Sequence, residues 1–330
     1  MTEYSIRKVG YDPFINYIKG IAIIWVLYLH TVPALGDTGA PFWALMAVPL
    51  FLLVQVFHVV KLEEVKWPSF RKVAKRIFVP FFIVQIILLS VKLTVNPCEF
   101  ITIIKNFVVG GGFGPGAYYP WLYIQMSIII PIFYYFIKRF GSIWGGLIIL
   151  IASIVLEVVC CSIGLPDTVW RLLCFRYIYL IWLGYILIEK GIRLSTIRIA
   201  LSLISVFFIY FFYYRDLHFA PFFIETDWSV HRWICYFYVS YFLLWLVLCL
   251  YSISAKRVNI IIETLGKMSY EVFLSQMFFI SLFNSLGDIG LRLPLYINIP
   301  LVWILSFSVG LLWYRIRMKG QQKYEVTNNQ

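Results

Sequence analysis

The sequence predicts an all-α fold, a polytopic integral membrane bundle of about ten transmembrane helices, and three observations carry that prediction. Hydrophobic residues occupy 62% of the 330 positions and charged residues 13%, with a mean hydropathy of +0.85, a composition outside the range of soluble globular domains. Apolar runs of membrane length recur along the whole chain with short links between them, which leaves no room for a large soluble domain. The basic residues gather on alternate links, the pattern that membrane topology imposes.

In order, the spans read 14 to 35, 41 to 60, 77 to 95, 117 to 137, 143 to 164, 171 to 188, 196 to 214, 233 to 253, 268 to 286 and 294 to 314. The first opens on Asp12-Pro13, a capping carboxylate followed by a ring that the first helical turn tolerates, and closes at Thr31-Val32-Pro33. It reads as a retained span and not a cleaved signal, because Lys19 interrupts it and no small-residue cleavage site follows. With the N-terminus in the cytoplasm, the inside links and tails hold twenty of the 28 basic residues, whereas the outside links hold only Lys105, Arg171, Arg215, Arg232 and Arg292. Both termini are then cytoplasmic. The chain reads as one integral-membrane domain over 1–330, with short cytoplasmic tails at 1–12 and 316–330. This asymmetry accounts for the net charge of +12 without a nucleic-acid partner. The six cysteines, Cys98, Cys160, Cys161, Cys174, Cys235 and Cys249, show no CxxC or Cys/His spacing, so neither a disulfide framework nor a metal site is expected.

The first span carries two ionisable side chains, Lys19 and His30, in an otherwise apolar helix. Eleven residues return to nearly the same helix face after about three turns, roughly 16 Å along the axis. A lysine this close to a helix start can snorkel to the headgroups, and a histidine in a span can be an ordinary interhelical hydrogen-bonding group. Their shared face argues that the two form a site, since each is costly to hold in a membrane without a role.

The link between spans two and three, KLEEVKWPSFRKVAKRIFVP, is the densest basic cluster and holds an amphipathic stretch from Ser69 to Ile77. It can lie on anionic headgroups, or Arg71, Lys72, Lys75 and Arg76 can receive the phosphates of a cytoplasmic donor. The glycines of NFVVGGGFGPGAYYPWLY lack a preceding strand and a GK[ST], so they read as a turn-rich or re-entrant loop on the outer side and not as a phosphate cradle. Tyr118, Tyr119, Trp121 and Tyr123 follow, either as an interfacial aromatic belt or as faces for a sugar ring. Glu157, with Arg171 and Arg176, supplies opposite charges at similar depth, and Gln55, His58, Gln125, Gln276 and Asn284 add polar groups that can join helices. The segment 215–232 is the longest expected outer loop and a candidate lid on the acceptor side.

Several of these stretches together resemble membrane-bound acyltransferase family 3, multi-span proteins that O-acylate bacterial surface polysaccharides and related molecules. YIKGIAIIWVLYLH carries a basic residue, ten intervening residues and a histidine as the family's first helix does, with Lys19 where many members have arginine. VPLFLLVQVF at 48–57 is similar to the second-span pattern, although a Ser-Gly pair is replaced by Gln55-Val56. KRIFVP at 75–80 resembles the basic start of span three, without the Arg-x-x-Arg spacing of many members. YYPWLY at 118–123, RYIYLIWLGYIL at 176–187 and LGKMSYEVFLSQ at 265–276 resemble further motifs in the expected order, and the last ends in Gln276 where histidine is common.

The resemblance implies an O-acyltransferase of the bacterial cytoplasmic (inner) membrane. It implies acetyl-CoA or another acyl-CoA as donor and no metal. The acceptor it implies is a hydroxyl of a cell-surface polysaccharide or lipid-linked sugar. His30 is then the expected general base and Lys19 its partner or a donor-phosphate ligand, with Arg71, Lys72, Lys75 and Arg76 gathering the donor. Glu157, Arg176, Tyr119 and Trp121 are the expected substrate contacts. The rival reading is a transporter or flippase for a glycan or lipid-linked intermediate, with Lys19, His30, Glu157 and Arg176 along its pathway.

Overall fold

The computed structural model describes residues 3–4, 12–32, 46–60, 67, 69–95, 100–166, 169, 172–193, 200, 203 and 243–328. The side chains of 3, 4, 106, 157, 161, 193 and 321–328 are excepted. These residues are overwhelmingly helical. The helices are α1 (Pro13–Thr31), α2 (Ala47–Val60), α3 (Phe70–Val73), α4 (Val79–Val95), α5 (Phe100–Gly110), α6 (Tyr119–Ser162), α7 (Tyr179–Lys190), α8 (Leu243–Ile253), α9 (Lys256–Lys267), α10 (Ser269–Asp288) and α11 (Leu295–Asn328). The extended structure among the described residues is a two-residue antiparallel pair, β1 (Glu3–Tyr4) with β2 (Ile192–Arg193), which puts the N-terminal segment beside the link that follows α7.

By length and composition, four helical stretches suffice to cross a membrane: Pro13–Thr31, Phe70–Val95, Tyr119–Cys160 and Leu295–Gly320. The third is long because two expected spans meet at Gly141, whose φ of 83° and ψ of 166° break the helix between them. Large apolar side chains face outward along these helices, including Ile83, Ile86 and Ile87 of α4 and Ile143, Trp144 and Ile151 of α6. A soluble protein would not leave so continuous an apolar surface bare, but lipid covers it at no cost. The expected span at 196–214, apart from residues 200 and 203, and the outer loop at 215–232 lie outside the described residues.

The helices start and stop where local chemistry directs. The Asp12 carboxylate accepts the Phe14 amide hydrogen at 3.0 Å, Pro13 occupies the first turn, and Val32 ends α1 with its N–H on the Tyr28 carbonyl. α3 runs through a π-helical turn at Ala74–Phe78 directly into α4, so the basic cluster and the expected third span form one continuous helix. Two elements differ from the sequence reading. The link expected between 96 and 116 contains α5, and the link before the ninth span contains α9. Both are too short for spans; α5 is apolar, whereas α9 is strongly amphipathic.

The core lies where α1 packs on α2, α9 and α10, with α7 against α2 and α6, and α11 against α10. The α1–α9 crossing depends on Gly266, because a Cβ there would overlap the Asn16 backbone carbonyl. Tyr251 of α8 closes the same corner, its ring 5.0 Å from that of Tyr17 and 5.5 Å from that of Phe14.

Candidate active site

Two glutamines fix the irregular backbone around which the site is built, and a third ties two of its helices together. Gln85 of α4, 1% exposed, accepts the Phe113 N–H at 2.7 Å and donates to the Phe113 carbonyl at 3.0 Å. This pair of hydrogen bonds holds the glycine-rich turn 111–118 against the middle of α4. On its other side the turn lies so close to α10 that a Cβ at Gly114, where φ is 86°, would meet Ser281 and Met277. Gln125 of α6 treats the chain before α7 in the same way, donating to Leu172 O at 2.5 Å and accepting from Cys174 N at 3.1 Å. Gln55 of α2 donates to Tyr123 O at 2.9 Å and Ser127 Oγ at 2.8 Å, tying α2 to α6. Backbone that leaves helical geometry inside a bundle must have its polar groups satisfied by such side chains. Gln85→Leu leaves both polar groups of Phe113 unpaired and is expected to cost about 1–3 kcal/mol. Thermal unfolding of the purified variant in detergent measures this, and an unaltered transition would show that the turn does not depend on the clamp.

The turn delivers Gly116, Tyr118 and Tyr119 to the wall of an open-mouthed cavity that encloses about 1320 Å³ with its mouth included. Lys19 and His30 of α1 line this one cavity. Their roughly 16 Å separation along the helix makes the cavity an elongated one running beside α1. Near the α1 N-terminus the wall holds Arg76 of the π-helical turn, Lys267 at the end of α9, Glu271 of α10 and Arg317 of α11, all within electrostatic range of Lys19. Arg317 donates through Nη1 to the Glu271 carboxylate, whose side chain is only 4% exposed, and Tyr270 donates to Ile77 O at 2.6 Å, pinning α10 to the same turn. Four cations thus share a region with one carboxylate. The field there favours an anion.

Aromatic and amide groups complete the wall. Tyr119 packs with ring centroids 5.9 Å from Phe51 and 5.6 Å from Phe273, and Arg76 acts electrostatically on both Tyr119 and Tyr123. Arg176 is 5% exposed, sits in the 3₁₀ turn Phe175–Tyr177 and lies 4.9 Å from the Tyr177 ring centroid. Gln55, His58 and Ser269 also face the cavity, and Gln55 Oε1 is buried with no hydrogen-bond partner among the described residues.

The structure therefore brings together Lys19, His30, Arg76, Arg176 and Tyr119 of the residues singled out in the sequence. Arg71, Lys72 and Lys75 are exposed and do not line the cavity. Trp121 does not line it either; its indole N–H donates to Gly111 O at 2.7 Å and its ring packs at 5.4 Å from Phe78, so it braces the glycine turn. The Glu157 side chain, Arg171 and the 215–232 loop lie outside the described residues. Tyr118, Tyr119 and Tyr123 line the cavity, next to the glycine turn that packs against α4 and α10. Lys267, Glu271 and Arg317 are the groups the sequence reading passed over. Glu271 carried a usable signal, since it is a carboxylate near the start of an apolar span.

Comparison with protein families matches residues 12–317 to the acyltransferase domain of acyltransferase family 3. No curated protein and no solved structure matches the chain. The matched segment begins at the α1 cap and runs to Arg317 itself, taking in each described wall of the cavity. On that match the chain belongs to acyltransferase family 3 and is a membrane protein and an acyltransferase.

Proposed function

We propose that this cavity transfers an acyl group, most simply acetyl, from acyl-CoA to a hydroxyl of a cell-surface polysaccharide or lipid-linked sugar. The observation that carries the reading is that Lys19 and His30, the two ionisable groups of α1, share one cavity whose Lys19 end gathers Arg76, Lys267 and Arg317. CoA is a phosphate-rich anion with an acyl thioester at the end of a long arm. Its phosphates suit the cationic end, and its arm suits the apolar and aromatic wall leading toward His30.

In this reading neutral His30 draws the proton from the acceptor hydroxyl as the oxygen attacks the thioester carbonyl carbon. The new C–O bond forms, the C–S bond breaks, and the CoA thiolate leaves and takes its proton from the imidazolium. Lys19, Arg76, Lys267 and Arg317 hold the donor, with Glu271 fixing Arg317, and Arg176 and Tyr119 contact the substrates. The exposed Arg71, Lys72 and Lys75 serve only to attract the anion or anchor the helix on headgroups. The basic asymmetry of the links supports a cytoplasmic position for the cationic end, with both termini on that side of a bacterial inner membrane.

Acetyl-CoA carrying radiolabel in its acetyl group, incubated with the purified protein, tests the function. Release of free CoA with the label appearing on water or on an added hydroxyl compound is the expected result. An intact thioester after prolonged incubation with folded protein would contradict it.

A further inference from the structure

His30 stands in a shared wall. Besides the cavity described above, it lines a second, smaller one of about 480 Å³, mouth included, between the far end of α1, the second half of α10 and the first turns of α11. The two cavities differ in chemistry. Where the first gathers cations, the lining of the second contains no charged side chain among the described residues: its walls are aliphatic and aromatic, with Phe283 among them, and its polar groups are His30, Thr31, Asn284 and Asn298. Thr31 is committed elsewhere, its hydroxyl donating to Leu27 O at 2.7 Å and accepting from the Trp303 indole at 2.9 Å. Asn298 is not satisfied: its Oδ1 is buried with no hydrogen-bond partner among the described residues. A buried carbonyl oxygen without a donor costs free energy that a ligand hydroxyl would recover.

We propose that this second cavity is the acceptor subsite and takes a neutral, polyhydroxylated headgroup, held by Asn284 and Asn298 so that one of its hydroxyls faces His30. The inference rests on the acyl-transfer reading above. Each carboxamide offers both a donor and an acceptor, which matches a hydroxyl that needs both, and a wall whose described residues carry no charge favours a neutral acceptor over a phosphorylated or carboxylated one. The Phe283 ring and the aliphatic wall suit the C–H face of a pyranose. His30 at the partition receives the thioester from one cavity and the hydroxyl from the other. Proton transfer runs from the acceptor oxygen to His30 and then to the departing thiolate, with one C–O bond made and one C–S bond broken.

The test uses the full-length protein in detergent, labelled acetyl-CoA, and four probe acceptors: the methyl glycosides of glucose, galactose, mannose and N-acetylglucosamine. The wild-type protein is expected to place label on at least one glycoside. Asn298→Leu and Asn284→Leu are each expected to raise the KM for that glycoside by about five- to tenfold, with the KM for acetyl-CoA unchanged. Asn284 is exposed, so its variant keeps the test valid even if the change at Asn298 harms folding. Unchanged glycoside KM in Asn284→Leu and in every Asn298 variant that folds would overturn the assignment. So would wild-type protein that releases label to water but to none of the four glycosides. Wild-type protein that leaves acetyl-CoA intact would instead overturn the acyl-transfer reading itself.

Discussion

Replacing His30 by alanine is expected to lower acyl transfer by about 10²- to 10⁴-fold, the usual loss on removing a positioned general base, with little loss of folded protein. His30 is only half-buried and lines two cavities, so its truncation enlarges open space and leaves the packed core intact. Lys19→Arg is expected to keep part of the activity, since it preserves the charge. Lys19→Met is expected to lose most of it, since methionine keeps the apolar stem and removes only the cation. Transfer rates measured on monodisperse protein check the set. Wild-type rates in His30→Ala would remove the histidine from the chemistry.

The second large effect is at the Glu271–Arg317 pair. The Glu271 side chain is 4% exposed and that of Arg317 26%, so Arg317→Met strands a nearly buried carboxylate. Removing one partner of a buried pair costs about 3–5 kcal/mol, and the partial exposure of Arg317 places the expectation toward the lower end. The double variant Glu271→Gln with Arg317→Met is expected to recover much of that stability, because no buried carboxylate is left without its arginine, yet to stay impaired in using acyl-CoA because a cation has left the cavity. Denaturation curves and donor KM for the two single variants and the double give the cycle. A double variant with the wild-type donor KM would show that Arg317 serves α11 and not the donor.

Much of the bundle and the axis of its site are legible in the sequence. Lys19 and His30 stand out because an ionisable group in an apolar helix is expensive, and helical periodicity alone puts two such groups eleven apart on one face. Arg76 could be found as part of a cluster but could not be separated from Arg71, Lys72 and Lys75, because which of them turns toward the cavity depends on the π-helical turn and on how Tyr270 pins it. Glu271 and Arg317 lie 46 positions apart and meet only through the packing of α10 on α11. The glycine stretch was legible as a turn-rich or re-entrant loop, but not how it is held against α4 and α10. That depends on Gln85, which as one polar residue in an apolar helix can equally join two helices.

Whether the cavity shared by Lys19 and His30 holds the acyl donor is decided by equilibrium binding of CoA to purified variants. His30→Ala is predicted to bind CoA with the wild-type Kd, because the histidine acts on the reacting atoms and not on the phosphates. Arg76→Gln combined with Lys267→Gln is predicted to weaken binding by about tenfold or more, the expected scale for losing charge-assisted hydrogen bonds. Arg71→Gln, Lys72→Gln and Lys75→Gln together are predicted to leave the Kd nearly unchanged at physiological salt. A wild-type Kd in the Arg76/Lys267 variant, with binding lost in the Arg71/Lys72/Lys75 variant, would contradict the claim and move the donor to the exposed face of the helix.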